Sequence, residues 1–114
     1  MKLSVQEAAE RDVLCQFEWY AERGLTDVAR RFRLAVKSGV DELLASPQAG
    51  APKSVANIEL EGLRTWSVQF DEFRIYYLVR DDLIKVLRIL HGRRDIASIL
   101  ESETVEQPRG KDHL

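Results

Sequence analysis

The stretch Phe73-Arg74-Ile75-Tyr76-Tyr77-Leu78-Val79-Arg80 decides how the chain folds. Phe73, Ile75, Tyr77 and Val79 alternate with Arg74, Tyr76, Leu78 and Arg80, the two-residue period of a strand with one wholly apolar face and one mixed face. On its C-terminal side, Asp81-Asp82 is followed by Leu83 to Leu90; on its N-terminal side, Leu63 to Phe70 runs into Asp71-Glu72. All three runs are rich in β-branched and aromatic residues, and the acidic pairs between them suit hairpin turns. Ile58-Glu59-Leu60-Glu61 alternates as well. The second half of the chain therefore reads as an antiparallel meander of three to four strands. The apolar face of the middle strand should pack on what precedes it, leaving the mixed face as the candidate working surface.

What precedes the meander has helical period. Ser4 and Glu7 have the spacing of a capping box and place a helix start near Val5 or Gln6. Ala9, Val13, Phe17 and Tyr20 trace one face, and Gly24 is suited to the left-handed residue that ends the helix. Thr26 is a second N-cap candidate, after which Val28, Phe32, Ala35, Val36, Val40 and Leu43 trace a face as far as Ser46-Pro47. Pro47 to Asn57 reads as the loop from helix to sheet, and Asp95 as the cap of a short last helix, Ile96 to Leu100. The fold class is α+β: an N-terminal antiparallel helical hairpin packed on a C-terminal antiparallel three- to four-stranded β-sheet, with a short C-terminal helix. Residues 1–100 form one domain and 101–114 a polar tail.

A chain of 114 residues has room for one modest core and none for a separate cofactor domain. Seventeen basic and nineteen acidic residues leave a net charge of −2, so the overall field does not favour a polyanion and any nucleic-acid contact needs a local patch. One cysteine and two histidines exclude a disulfide framework and a structural zinc site. Cys15 lies off the apolar stripe and reads as a small, partly buried residue. The N-terminus turns charged too early for a signal peptide, and no apolar run reaches the roughly 20 residues of a membrane span. A soluble cytoplasmic protein is expected, with no membrane partner. Phosphate-loop, dinucleotide and metalloprotease motifs are missing, so no cofactor and no metal are expected, and Asp81-Asp82 reads as a turn.

The densest basic feature is Arg88-Ile89-Leu90-His91-Gly92-Arg93-Arg94-Asp95. Free backbone amides at a strand end beside three arginines suit a phosphate or carboxylate. The other reading is a solvated turn with a helix cap and a sheet-edge histidine. Arg74 and Tyr76 share the mixed face of their strand, and Arg64 and Trp66 share a face of the preceding one, with the register between strands unread. Arg30, Arg31, Arg33 and Lys37 read as a solvated helix face, and Trp19 as peripheral core packing with an exposed anchor as the alternative. Metal-free RNA cleavage needs a base, an acid and cations for the phosphorane; His91, Arg74 and Arg88 are the residues that would supply them.

The order of elements, with Gly62-Leu63-Arg64-Thr65-Trp66-Ser67-Val68, Phe73-Arg74-Ile75-Tyr76-Tyr77 and Val86-Leu87-Arg88-Ile89-Leu90-His91-Gly92-Arg93-Arg94-Asp95-Ile96, resembles the RelE/ParE superfamily of type II toxins from about Leu3 to Leu100. The resemblance implies a small α+β toxin that inhibits growth, serves plasmid stabilisation and is neutralised by a cognate ParD-like or RelB-like antitoxin. RelE-like members cleave mRNA on the ribosome; ParE-like members poison DNA gyrase without nuclease residues. Arg74 matches a strand arginine of the nuclease branch and His91 a C-terminal catalytic histidine. Against that branch, Gly92 stands where a tyrosine follows, the upstream lysine or glutamate set is reduced to Lys53, and the chain is acidic where ribosome-cleaving members tend to be strongly basic. The ParE-like reading, a gyrase poison with no catalysis of its own, is favoured. The alternatives are an mRNA endonuclease acting on the ribosome through Arg74, His91 and Arg88, or an inactive member acting only as a binding protein. The expected target- or antitoxin-binding surface is Arg64, Trp66, Arg74, Arg88, His91, Arg93 and Arg94. The antitoxin is expected in apolar grooves beside the hairpin and the sheet edge. A free-toxin dimer and a toxin–antitoxin hetero-oligomer both stay open.

Overall fold

A computed structural model describes residues 1–54 and 61–101. In chain order these form β1 (Lys2–Val5), α1 (Glu7–Glu22), α2 (Thr26–Ala45), β2 (Ala51–Pro52), β3 (Arg64–Ser67), β4 (Phe73–Arg80) and β5 (Leu83–His91), followed by a helical segment over 96–101. The sheet order is β1-β5-β4-β3-β2. The meander is antiparallel as its sequence predicts, and Asp71 and Asp81 hold positive φ in the two turns, a conformation that aspartate tolerates better than most residues. The sheet as a whole is mixed, because β1 pairs in parallel with β5, Lys2 to Val5 opposite Leu83 to Val86.

That extra strand corrects the expected helix start. Ser4 is committed to the sheet, where it lies opposite Lys85, and α1 begins at Glu7 behind an N-cap Gln6 that makes no side-chain cap bond. Glu7 pairs instead with Arg11 one turn on, at 2.9 Å. Thr26 likewise opens α2 as its first residue, after Leu25. The link between the helices turns at Gly24, with φ at 75°. β2 lies within the stretch read as loop and pairs antiparallel with β3. The alternation at Ile58–Leu60 and the tail beyond Glu101 lie outside the described residues.

The helical hairpin buries the apolar face of β4. Ala9, Phe32, Val36 and Leu43 meet Phe73, Ile75, Tyr77, Ile84, Val86 and Ile89 in one core. Within it, Phe32 lies against Tyr20, Phe70 and Phe73 with ring centroids 6.0, 5.6 and 4.9 Å apart, tilted and edge-on contacts that add to simple burial. The Tyr77 hydroxyl donates to Pro47 O and accepts from Gly50 N–H, both at 2.9 Å, tying the loop after α2 to the sheet.

The mixed face is not the open surface that the sequence predicts. Tyr76 and Leu78 are buried in a second, smaller core with Leu63, Leu90, Ile96 and Leu100, because the helical segment 96–101 folds back over them. Asp95 caps that segment through Ser98, accepting from its N–H at 3.2 Å and its hydroxyl at 2.8 Å. These bonds hold the Asp95 carboxyl below its ordinary pKa. Two further readings are corrected. Cys15 is exposed, and so is Trp19, whose ring carries the Arg23 guanidinium at 3.9 Å and meets Tyr20 edge-on.

Candidate functional site

The register of β3, β4 and β5 divides the expected surface between the two faces of the sheet. Arg64 lies opposite Tyr77 and Trp66 opposite Ile75, which puts both on the hairpin side. Arg64 donates to Gly50 O at 2.5 Å and to Gln48 O at 3.3 Å. Trp66 packs on the main core and directs its indole N–H to Glu42 Oε1 at 3.3 Å. Both side chains hold the fold together.

Arg88 sits at an irregularity in the ladder, where Tyr76 lies opposite Arg88 but Tyr77 lies opposite Val86. β1 ends at Val5, opposite Val86, leaving that edge of β5 open beyond it. Asp12 of α1 fills the gap. Its carboxylate accepts from Arg88 Nε at 2.8 Å, Arg88 Nη2 at 2.6 Å and the Ile89 amide at 3.0 Å. The two side chains are only 15% and 9% exposed, so this is a bidentate pair within the fold. Nothing in the sequence linked two residues this far apart.

His91 and Arg74 lie on opposite faces. His91 is opposite Phe73, whose ring it meets edge-on at 5.4 Å, whereas Arg74 is opposite Leu90 and Ser67. His91 Nδ1 accepts the Arg93 amide at 3.2 Å, and Nε2 lies 3.3 Å from Asp71 Oδ2. Asp71, Glu72 and His91 offer ligand atoms within 4.8 Å of one another. Their hydrogen bonds argue against a metal there. A cation on Nε2 would require the ring proton on Nδ1, the nitrogen that accepts from Arg93. Glu72 also meets Arg93 at 3.4 Å across the exposed corner, and the exposed Arg94 side chain makes no hydrogen bond or ion pair among the described residues.

On the other face, Arg74 donates from Nε to Thr65 Oγ1 at 2.8 Å and from Nη1 to Ser67 Oγ at 2.9 Å. Tyr76 follows two residues on, with its phenol pKa raised by burial and drawn back by the Arg74 charge. Gly92 closes this end. Its N–H bonds Glu72 O at 2.7 Å, and a Cβ there would lie 3.1 Å from that oxygen and 3.5 Å from Arg74 Cδ. The sequence named Arg74 but not its hydroxyl partners, because alternation places residues on faces without saying which strand residues meet.

Residues 3–96 match the family model of the ParE toxin of the type II toxin-antitoxin system, parDE. The chain belongs to the ParE toxin family. The toxin fold is also that of the chromosomal ParDE system from P. aeruginosa, with a TM-score of 0.65 at 24% identity over 80% of this chain and 95% of that one. A copper-bound mutant toxin from Helicobacter pylori aligns with a TM-score of 0.48 at 19% identity over 81% of this chain and 94% of that one. No curated protein matches the chain. No helix among the described residues is long and apolar enough to cross a membrane.

Proposed function

We propose that this ParE-family toxin arrests growth by poisoning DNA gyrase in the cytoplasm and is neutralised by a cognate antitoxin. The observation that carries the reading is the separation of Arg74 from His91 by the sheet. RNA cleavage without metal needs a base, an acid and cations converging on one phosphate. Here Arg74 faces one way, His91 the other, and Arg88 is occupied by Asp12. Inhibition by binding a protein target requires no such convergence. The exposed corner with His91, Arg93 and Arg94 supports docking on that target.

The hairpin supports the antitoxin part of the reading. Leu14, Trp19, Leu25 and Leu34 are large apolar side chains between 42% and 56% exposed, suited to anchoring an amphipathic partner segment. The test is induction of the chain in cells with and without a co-expressed antitoxin. Growth should stop, DNA breaks should accumulate, and both should be relieved by the antitoxin. Arg93→Ala with Arg94→Ala should weaken growth arrest or antitoxin binding. Growth arrest without DNA breaks, with mRNA cut in their place, would contradict the reading.

A further inference from the structure

Among the described residues, Arg74 is a cation without an anion. Two of the five guanidinium N–H groups are bound, by the neutral hydroxyls of Thr65 and Ser67, and no carboxylate among the described residues forms an ion pair with it. Those two bonds fix the plane of the guanidinium and leave the Nη2 side of the fork undirected. Beside it, Tyr76 is 3% exposed, yet its hydroxyl makes no hydrogen bond among the described residues. A phenol so deeply placed normally finds a partner. Since no buried polar side-chain atom among the described residues lacks a partner, the oxygen still reaches solvent. Gly92 keeps the approach clear of a side chain.

We propose that Arg74 and Tyr76 form a carboxylate-binding subsite, which receives an acidic side chain or a C-terminal carboxylate of a bound peptide segment. A planar carboxylate matches the free edge of a held guanidinium and accepts a third bond from the phenol. A nucleic-acid strand presents repeated phosphates and calls for a row of cations. Among the described residues this subsite has one, bordered by Leu90, Thr65, Ser67 and Gly92. Only the peptide source rests on the toxin–antitoxin reading; the chemistry of the subsite does not.

The test follows the arginine Nε–H resonances of the full chain by nuclear magnetic resonance during titration with four probes. These are N-acetyl-Ala-Glu-Ala-amide, its Gln counterpart, N-acetyl-trialanine with a free carboxylate, and inorganic phosphate. A saturable shift of Arg74 with either carboxylate peptide, and none with the Gln peptide, is expected; the stronger of the two identifies the source. Tyr76→Phe, which keeps the ring in its core, should weaken that binding about fivefold, and Arg74→Gln by more than about tenfold. Tighter binding of phosphate, equal shifts with the Gln peptide, no saturation, or unchanged affinity in Tyr76→Phe would each overturn the proposal. Gyrase poisoning without carboxylate binding would remove the subsite alone; carboxylate binding without gyrase poisoning would remove only the gyrase reading.

Discussion

The two faces of the β4–β5 ladder are both buried, but by different means. On the hairpin side, two long helices deliver an aromatic cluster around Phe32, and the hydroxyl of Tyr77 is bonded on both sides. On the far side, a helical segment of 96–101 covers Tyr76, Leu78 and Leu90, and at its margin stand Arg74 and the Tyr76 phenol, the first without an anion and the second without a hydrogen-bond partner among the described residues. The first face is satisfied within the chain, whereas the second leaves a guanidinium edge and a phenol oxygen to solvent. Stability is concentrated on one face and unused binding chemistry on the other.

Substitutions test that contrast in order of effect. Phe32→Ala should cost about 4 kcal/mol in urea unfolding, the range for a fully buried aromatic whose neighbours cannot close the space. Asp12→Ala should cost about 3 kcal/mol, because it leaves the Arg88 guanidinium and the Ile89 amide without their acceptor in a largely desolvated place. Ile96→Ala, in the smaller core, should cost about 2 kcal/mol. A loss equal to that of Phe32→Ala would break the comparison by making the far face as important to the fold as the near one.

Tyr77→Phe should cost about 1 to 2 kcal/mol by stranding Gly50 N–H and Pro47 O. It also sharpens the comparison through pH. Burial raises the phenol pKa of both Tyr76 and Tyr77, the latter partly offset by its bond from Gly50 and by the Arg64 charge. The folded state thus holds these protons more tightly than the unfolded state. Their contribution is full below the ordinary phenol value of about 10 and is lost as pH rises through the raised folded values. Urea midpoints should be flat from about pH 8 to about pH 9 and fall above about pH 10, with a smaller fall in Tyr77→Phe.

Much of the fold was legible because its signals are local. The stripe from Val28 to Leu43 and the alternation from Phe73 to Arg80 each repeat several times, and turn residues mark their ends. β1 was hidden for the opposite reason. Four residues are too few to establish a period, the S-x-x-E spacing suggested a helix cap, and parallel pairing with β5 joins segments some eighty residues apart in sequence. The candidate site divides in the same way. Arg74, His91 and the arginines after Leu90 stand out as residue types, but which of them share a face depends on register. Asp12 reaches Arg88 across 76 residues, and Tyr76 is buried only because 96–101 folds back. Sequence periodicity carries neither fact.

The central claim is that this toxin acts by binding gyrase and not by cutting RNA. Its most direct test gives the purified chain, in parallel, to DNA gyrase with supercoiled plasmid and to ribosomes programmed with a defined mRNA. The account predicts gyrase-dependent accumulation of cleaved DNA with the mRNA left whole. Cut mRNA with normal gyrase turnover, abolished by Arg74→Ala, would contradict it.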